Sequence, residues 1–207
     1  MRSRGGQVEF RYKRDGRGGR RKGAGRPPRG ERAGVAHAAR PRFERRLPVH
    51  VTLRMADSVW NLRSRRALRV LGGALHASAD RFGARVVQFA VLGNHIHLLV
   101  EADNTAGLVR GMRGLSIRVA KGLNRLMSRK GRVLGDRYHT RVLQTPTEVR
   151  RAIHYIKNNH RTHMAEIGEH LPATWLDPYC SDCPTIGIVL LPPRTWLVQK
   201  SKHRGTS

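Results

Sequence analysis

Acidic residues are scarce in this chain. Asp and Glu number 14 against 41 Lys and Arg, which leaves a formal net charge of +27 and a pI near 11.8. Such a surface repels its like and concentrates polyanions, so nucleic acid is the first partner to consider. Cysteine is nearly absent: Cys180 and Cys183 are the whole complement, which excludes a disulfide scaffold. No apolar run approaches the length that spans a bilayer, so no membrane segment is expected. The N-terminal positive charge has no apolar stretch behind it, which argues against a secretory signal. With 207 residues there is room for one domain of ordinary size plus tails. The expectation is a cytoplasmic protein associated with nucleic acid.

Residues 1–46 are rich in Arg and Gly and hold few large apolar side chains. They cannot bury enough surface to offset their ordering entropy and read as a disordered basic arm. Within the arm, Gly25-Arg26-Pro27 is similar to the core of an AT-hook, although a generic cationic arm adding non-specific affinity accounts for it more simply. Order begins at Leu47. Val49 to Met55 alternates as a strand, with Val49, Val51 and Leu53 on one face and His50, Thr52 and Arg54 on the other. Leu68, Leu71, Leu75, Ala79 and Phe82 recur at helical spacing and predict a helix over 63–82, weakened at Gly72-Gly73. Residues 85–101 read as a hairpin closed at Gly93-Asn94.

A second helix over 105–128 buries Leu108, Met112, Leu115, Val119, Leu123 and Leu126, and 137–143 is a fourth strand candidate. Thr145-Pro146-Thr147-Glu148 supplies a cap, a first-turn proline and a capping-box glutamate, so a third helix starts there and runs to about Asn159. The first six elements follow the ferredoxin-like β-α-β-β-α-β plan, an α+β antiparallel sheet with helices on one face. The third helix is an addition to it. Residues 47–164 make up this domain, and 165–207 form a C-terminal extension with a basic tail. In the extension, 186–191 reads as a short strand and 192–198 as an extended segment.

The chemistry concentrates at Gly93-Asn94-His95-Ile96-His97-Leu98-Leu99-Val100. In a strand, His95 and His97 share a face with Leu99 and Glu101, while Ile96, Leu98 and Val100 face a core. Two imidazoles so placed can reach one divalent metal, or they can simply be hydrogen-bonded strand histidines. On the third helix, Tyr155 and Asn159 lie four residues apart and stack along one side.

Three motifs together carry a family resemblance over about Pro48 to Arg161: His95-Ile96-His97 after a Gly-Asn turn, Gly135-Asp136-Arg137-Tyr138 before the fourth strand, and Tyr155-Ile156-Lys157-Asn158-Asn159. The chain resembles the single-tyrosine HUH transposases of insertion sequences, most closely their REP-associated branch. The resemblance implies a bacterial, nucleoid-associated homodimer that cleaves single-stranded DNA near an imperfect hairpin through a 5′-phosphotyrosine. It makes His95 and His97 ligands of Mg²⁺ or Mn²⁺, Asn159 the third ligand and Tyr155 the nucleophile. His160 stands where many relatives have proline, which leaves Asn159 and His160 both open as third ligand.

The remaining candidates are weaker. Arg110, Arg113, Lys121 and Arg125 lie away from the buried stripe of the second helix, which has almost no acidic partners, and with Arg137 and Arg141 they form the expected DNA-binding set. Tyr138 is the rival nucleophile, or a sheet aromatic. His50 and Glu101 lie on polar strand positions near the histidine pair, as site members or as ordinary strand residues. Cys180-Ser181-Asp182-Cys183 has the spacing of half a zinc site without an evident second half. Two function classes follow: a metal-assisted tyrosine strand transferase or nuclease, and a non-catalytic basic nucleic-acid binder, which includes an inactive or domesticated transposase.

Overall fold

The computed structural model describes residues 41–203 except 173, 185 and 186, so residues 1–40 of the basic arm, with the AT-hook-like segment, lie outside the described residues. Strands β1 (Leu47–Arg54), β2 (Ala84–Val91), β3 (His95–Ala102) and β4 (His139–Val142) form one antiparallel sheet in the order β2-β3-β1-β4. Between and after them come helices α1 (Arg65–His76), α2 (Thr105–Leu126), α3 (Pro146–Glu166) and α4 (Trp196–His203). This is the expected β-α-β-β-α-β arrangement. The central strands pair along their whole length, from Leu47 opposite Ala102 to Arg54 opposite His95.

The sheet has a core on each face. Val49, Val51 and Leu53 of β1 and Ile96, Leu98 and Val100 of β3 pack with α1 and α2 through Leu71, Leu108, Met112 and Val119. The other face is smaller: Val87, Ala90 and Leu99 meet Val149, Ala152, Ile153 and Ile156 of α3, with Val198 of α4 and Cys180. The helices therefore do not all lie on one face. The apolar stripe of α3 requires an apolar patch, and β2 and β3 leave one on the side away from α1 and α2. A bulge between Val86 and Gln88 brings Val87 into that second core.

Several local expectations change. The first helix ends at His76, and the chain then turns through left-handed Asp80 (φ 49°), Phe82 (φ 58°) and Gly83 (φ 71°) into β2. Phe82, expected as the last buried position of that helix, is exposed instead. Gly72-Gly73 does not break α1; a Cβ at Gly72 would lie 2.9 Å from Ile188, so the glycine admits the returning C-terminal chain. At the β2–β3 turn neither Gly93 nor Asn94 has a positive φ. The turn is strapped instead by Leu62 and Met55, whose N–H groups donate to the carbonyls of Gly93 and Asn94 at 2.8 and 2.9 Å. The capping box of Thr145 and Glu148 forms as expected, and α3 continues to Glu166. Of the expected strand over 186–191, residue 186 lies outside the described residues and 187–191 are not a strand. Of the expected extended segment, 192–195 are not helical and 196–198 belong to α4.

Glu101 anchors that last helix. Its buried carboxylate accepts from Arg194 N and Thr195 N, both at 2.7 Å, and from Thr195 Oγ1 at 2.5 Å. It is therefore a cap for the chain entering α4 and not a neighbour of the histidines. Glu101→Ala removes a charged acceptor and leaves buried donors unpaired, and is expected to destabilise the fold by about 3 kcal/mol in chemical denaturation. Among the described residues, no helix is long and apolar enough to cross a membrane.

Candidate active site

The pairing register builds the site on the α3 side of the sheet. Thr52 lies opposite His97 on one side and opposite His139 on the other; His50 lies opposite Leu99 and Arg141. Directly opposed residues share a face, so His50, Thr52, His97, His139 and Arg141 form one polar patch, continued by His95 at the end of β3. Over this patch α3 lays Arg151, Tyr155, Asn159 and His163, each four residues from the next and hence on one stripe.

Tyr155 stands edge-on to two histidines: its ring centroid is 5.3 Å from that of His97 and 5.7 Å from that of His50. The tyrosine is 50% exposed, whereas His97 and Asn159 beside it are buried. One wall of the site is therefore protein and the other is open. Next to Tyr155 a cleft of about 380 Å³ is lined by His50, Arg141, Glu148 and Arg151. Glu148 lies 3.5 Å from Arg141, and Arg151 forms no ion pair among the described residues.

The hydrogen bonds fix the histidine tautomers. Asn159 Nδ2 can only donate, so His97 Nε2 at 3.1 Å is the acceptor and the proton of His97 sits on Nδ1. That Nδ1 lies 3.1 Å from Thr52 Oγ1 and 3.3 Å from His50 Nε2. Asn94 Oδ1 accepts from His95 Nδ1 at 2.6 Å, which leaves Nε2 of His95 as a lone pair. Both histidines of the pair thus hold the neutral, Nδ1-protonated form that a metal ligand requires. The Nε2 lone pair of His97 is taken by the Asn159 amide, so an ion there would have to displace that N–H. Turning the carboxamide over to present its oxygen would do so.

Burial reinforces this state. Desolvation pushes His97 down to about 3, helped by the neighbouring His50 and His95. It pushes His50 down to about 4, helped by Arg141. His95 is lowered by burial and then by Arg54. A histidine whose pKa falls on folding stabilises the fold most above its unfolded pKa near 6.5, and that stability is lost as pH falls towards 3–4. Each of His50 and His97 is expected to remove about 2 kcal/mol between about pH 7 and 5. The double variant His50→Gln, His97→Gln should flatten the pH dependence of the denaturation midpoint; an unchanged slope would contradict it.

The donor set fits a hard divalent ion only in part. Two imidazole Nε2 atoms and one carboxamide are present, and among the described residues no group of three His, Cys, Asp or Glu side chains could hold a metal. Further oxygen ligands must come with a substrate. His160 is not among the donors, since it packs against Trp175, with ring centroids 5.6 Å apart.

Of the sequence candidates, His95, His97, Tyr155, Asn159 and Arg141 come together, and His50 joins them. Tyr138 packs against the core on the α1–α2 side. Arg137 is half-buried in the turn before β4, and Arg110, Arg113, Lys121 and Arg125 lie exposed on α2, across the sheet from Tyr155. Cys180 and Cys183 are buried, and burial raises the Cys180 thiol to about 11. Ser181 N donates to Phe89 O and Tyr179 O accepts from Val91 N, so this segment covers the β2 edge. A bidentate pair, Arg63 with Asp177 at 2.8 and 3.0 Å, fastens it. Sequence reading missed Thr52, Arg151, His139 and His163 as site neighbours. The four-residue spacing of 151, 155, 159 and 163 was the available signal for two of them.

Comparison with solved structures bears on the fold. A REP-associated tyrosine transposase bound to a REP hairpin superposes with a TM-score of 0.51 at 13% identity, over 62% of this chain and 74% of that one. The chain has the fold of a REP-associated tyrosine transposase. A protein assigned as a transposase from Deinococcus radiodurans R1 matches with a TM-score of 0.41 at 14% identity, over 66% of this chain and 100% of that one. No family model and no curated protein matches the sequence. In this transposase fold the polar patch lies under α3, and the cleft beside Tyr155 opens to solvent.

Proposed function

We propose that this protein is a transposase-type DNA strand transferase that cleaves single-stranded or hairpin DNA with Tyr155 as nucleophile. The observation that carries the reading is the packing of Tyr155 against His97 and His50, with Asn159 one turn further on and bonded to His97. The Tyr155 oxygen attacks a backbone phosphorus, and the bond from phosphorus to the 3′ oxygen breaks. The phenolic proton is lost to solvent or a nearby base, and the departing oxygen takes up a proton. A 5′-phosphotyrosine and a free 3′-hydroxyl result. The phosphodiester is conserved in the linkage, so a 3′-hydroxyl can later attack it and release Tyr155.

His95, His97 and Asn159 are the residues that would hold Mg²⁺ or Mn²⁺. When bound, such an ion polarises the scissile phosphate and offsets its charge, since a phenol is a weak nucleophile near neutral pH. Arg141 and Arg151 sit in the cleft beside Tyr155 and bind the flanking phosphates. Asn94 and Thr52 hold the rings in orientation. The resemblance to REP-associated transposases adds a homodimer and a bacterial, nucleoid-associated location to the proposal.

A denaturing gel tests the reading. Labelled single strands from the gene's own flanks are incubated with the protein and manganese, with and without EDTA. A metal-dependent band shifted by the mass of the protein is expected. Tight binding with no such band on any flanking strand would favour a non-catalytic binder.

A further inference from the structure

Across the sheet from Tyr155, a tight loop carries an exposed aromatic ring. Phe82 has a φ of 58°, an unfavourable backbone for a side chain of its size, yet 52% of the residue is open to solvent. The loop is firmly held. Asp80 pairs with Arg85 at 2.7 Å and Arg194 at 3.0 Å, and Gly83 O accepts from Asp103 N at 2.9 Å. The Phe82 carbonyl rests where a Cβ at Gly107 would be, 2.6 Å away. The fold thus fixes the backbone of Phe82 on the start of α2, and the groups that approach its ring are the guanidiniums of Arg81 and Arg110.

The surroundings are cationic. Arg81 and Arg110 stand over the ring, with guanidinium carbons 6.0 and 5.9 Å from its centroid, loosely enough to be displaced by or to flank a stacking base. From there Arg110, Arg113, Lys121 and Arg125 continue along the exposed side of α2, which contains no acidic residue. None of these four forms an ion pair among the described residues. Two copies of this face would oppose like charges, which disfavours self-association here. A rigid aromatic at one end of an unneutralised basic stripe is the arrangement that holds a nucleic-acid single strand, with a base on the ring and phosphates on the cations.

We infer that Phe82, with Arg81 and Arg110 and the basic side of α2, forms a second binding site for single-stranded nucleic acid, where an unpaired base stacks on Phe82. The site is remote from the proposed chemistry. Ala84, just after the loop, lies six residues along β2 from Ala90, the partner of His97. That is about 20 Å at the rise of a strand. The Phe82 site stands on its own observations and does not depend on Tyr155 being a nucleophile.

The test uses the full chain carrying Tyr155→Phe, so that no covalent product can form. Fluorescence anisotropy is read with oligothymidylate of about 20 nucleotides in about 0.3 M salt, where the contribution of the basic arm is suppressed. Phe82→Ala is expected to weaken binding by about 5- to 100-fold, and Phe82→Tyr to retain it. Phe82→Gly, which relieves the positive φ, should show the same loss as Phe82→Ala and so separates stacking from folding. An abasic strand of equal length should bind the parent and Phe82→Ala alike. Arg110→Gln should weaken both strands and lower the salt slope by about one. Unchanged thymidylate binding by the Ala and Gly variants would overturn the site, as would an equal loss on the abasic strand.

Discussion

Tyr155→Phe is expected to abolish the protein–DNA covalent product while DNA affinity stays within about two-fold of the parent. The substitution removes one oxygen from a half-exposed side chain and leaves the ring in place against His97 and His50. Little stability is at stake, since the hydroxyl is not part of the packed core. The chemistry, in contrast, has no substitute nucleophile nearby. Tyr138 lies on the opposite side of the sheet, packed against the core of α1 and α2. Loss of a unique nucleophile drops turnover by about 10⁴-fold or more. Gel quantification of the adduct beside anisotropy of the same complex separates the two effects. An undiminished adduct would move the nucleophile elsewhere and remove the main support for the proposed mechanism.

His97 is expected to show the opposite profile, with losses in both chemistry and stability. It is buried, accepts from Asn159 and lies within hydrogen-bond distance of Thr52. His97→Ala leaves those groups without their partner and opens a hole under α3, which costs about 2–3 kcal/mol. Cleavage should fall to background, with at most partial recovery in manganese, because the remaining donors are one imidazole and one carboxamide. Asn159 refines the point. Asn159→Asp keeps an oxygen donor and adds charge suited to a hard ion, so metal-dependent cleavage should survive; Asn159→Leu should lose it. Equal activity of the Leu variant would exclude Asn159 from the metal site. Calorimetry of Mn²⁺ binding with uncleavable DNA present gives a readout independent of turnover.

Much of this was legible in the chain. Period-two alternation put His50 and Thr52 on one face of β1 and His95 and His97 on one face of β3, which the pairing register joins. The capping box fixed where the helix bearing Tyr155 begins. What alternation does not encode is the side of the sheet on which a later helix docks. The apolar stripe of α3 is compatible with either face, and its place was decided by the patch of Val87, Ala90 and Leu99, one member of which depends on a bulge. The basic residues of α2 illustrate the consequence. On a one-sided fold they would be near Tyr155; here a full sheet intervenes. Glu101 shows the same limit: strand parity put it on the site face, but its partners are Arg194 and Thr195, more than ninety residues later in sequence. Which of the two candidates lies beside His97 depends on tertiary packing as well: Asn159 bonds His97, and His160 turns to Trp175. Phe82 fits a helical stripe by spacing, but the helix stops at His76 and Phe82 itself is left-handed, in the turn that follows.

The most direct measurement is the mass of the tryptic peptides after incubation with DNA, manganese and then nuclease. Trypsin cuts after Arg151 and Lys157, so Ala152–Lys157 carries Tyr155 as its sole tyrosine, while Tyr138 falls in Tyr138–Arg141. The account predicts a nucleotide-phosphate mass on Ala152–Lys157 that is labile to phosphodiesterase and absent with EDTA. That mass on Tyr138–Arg141, or DNA cleaved with neither peptide modified, would contradict it.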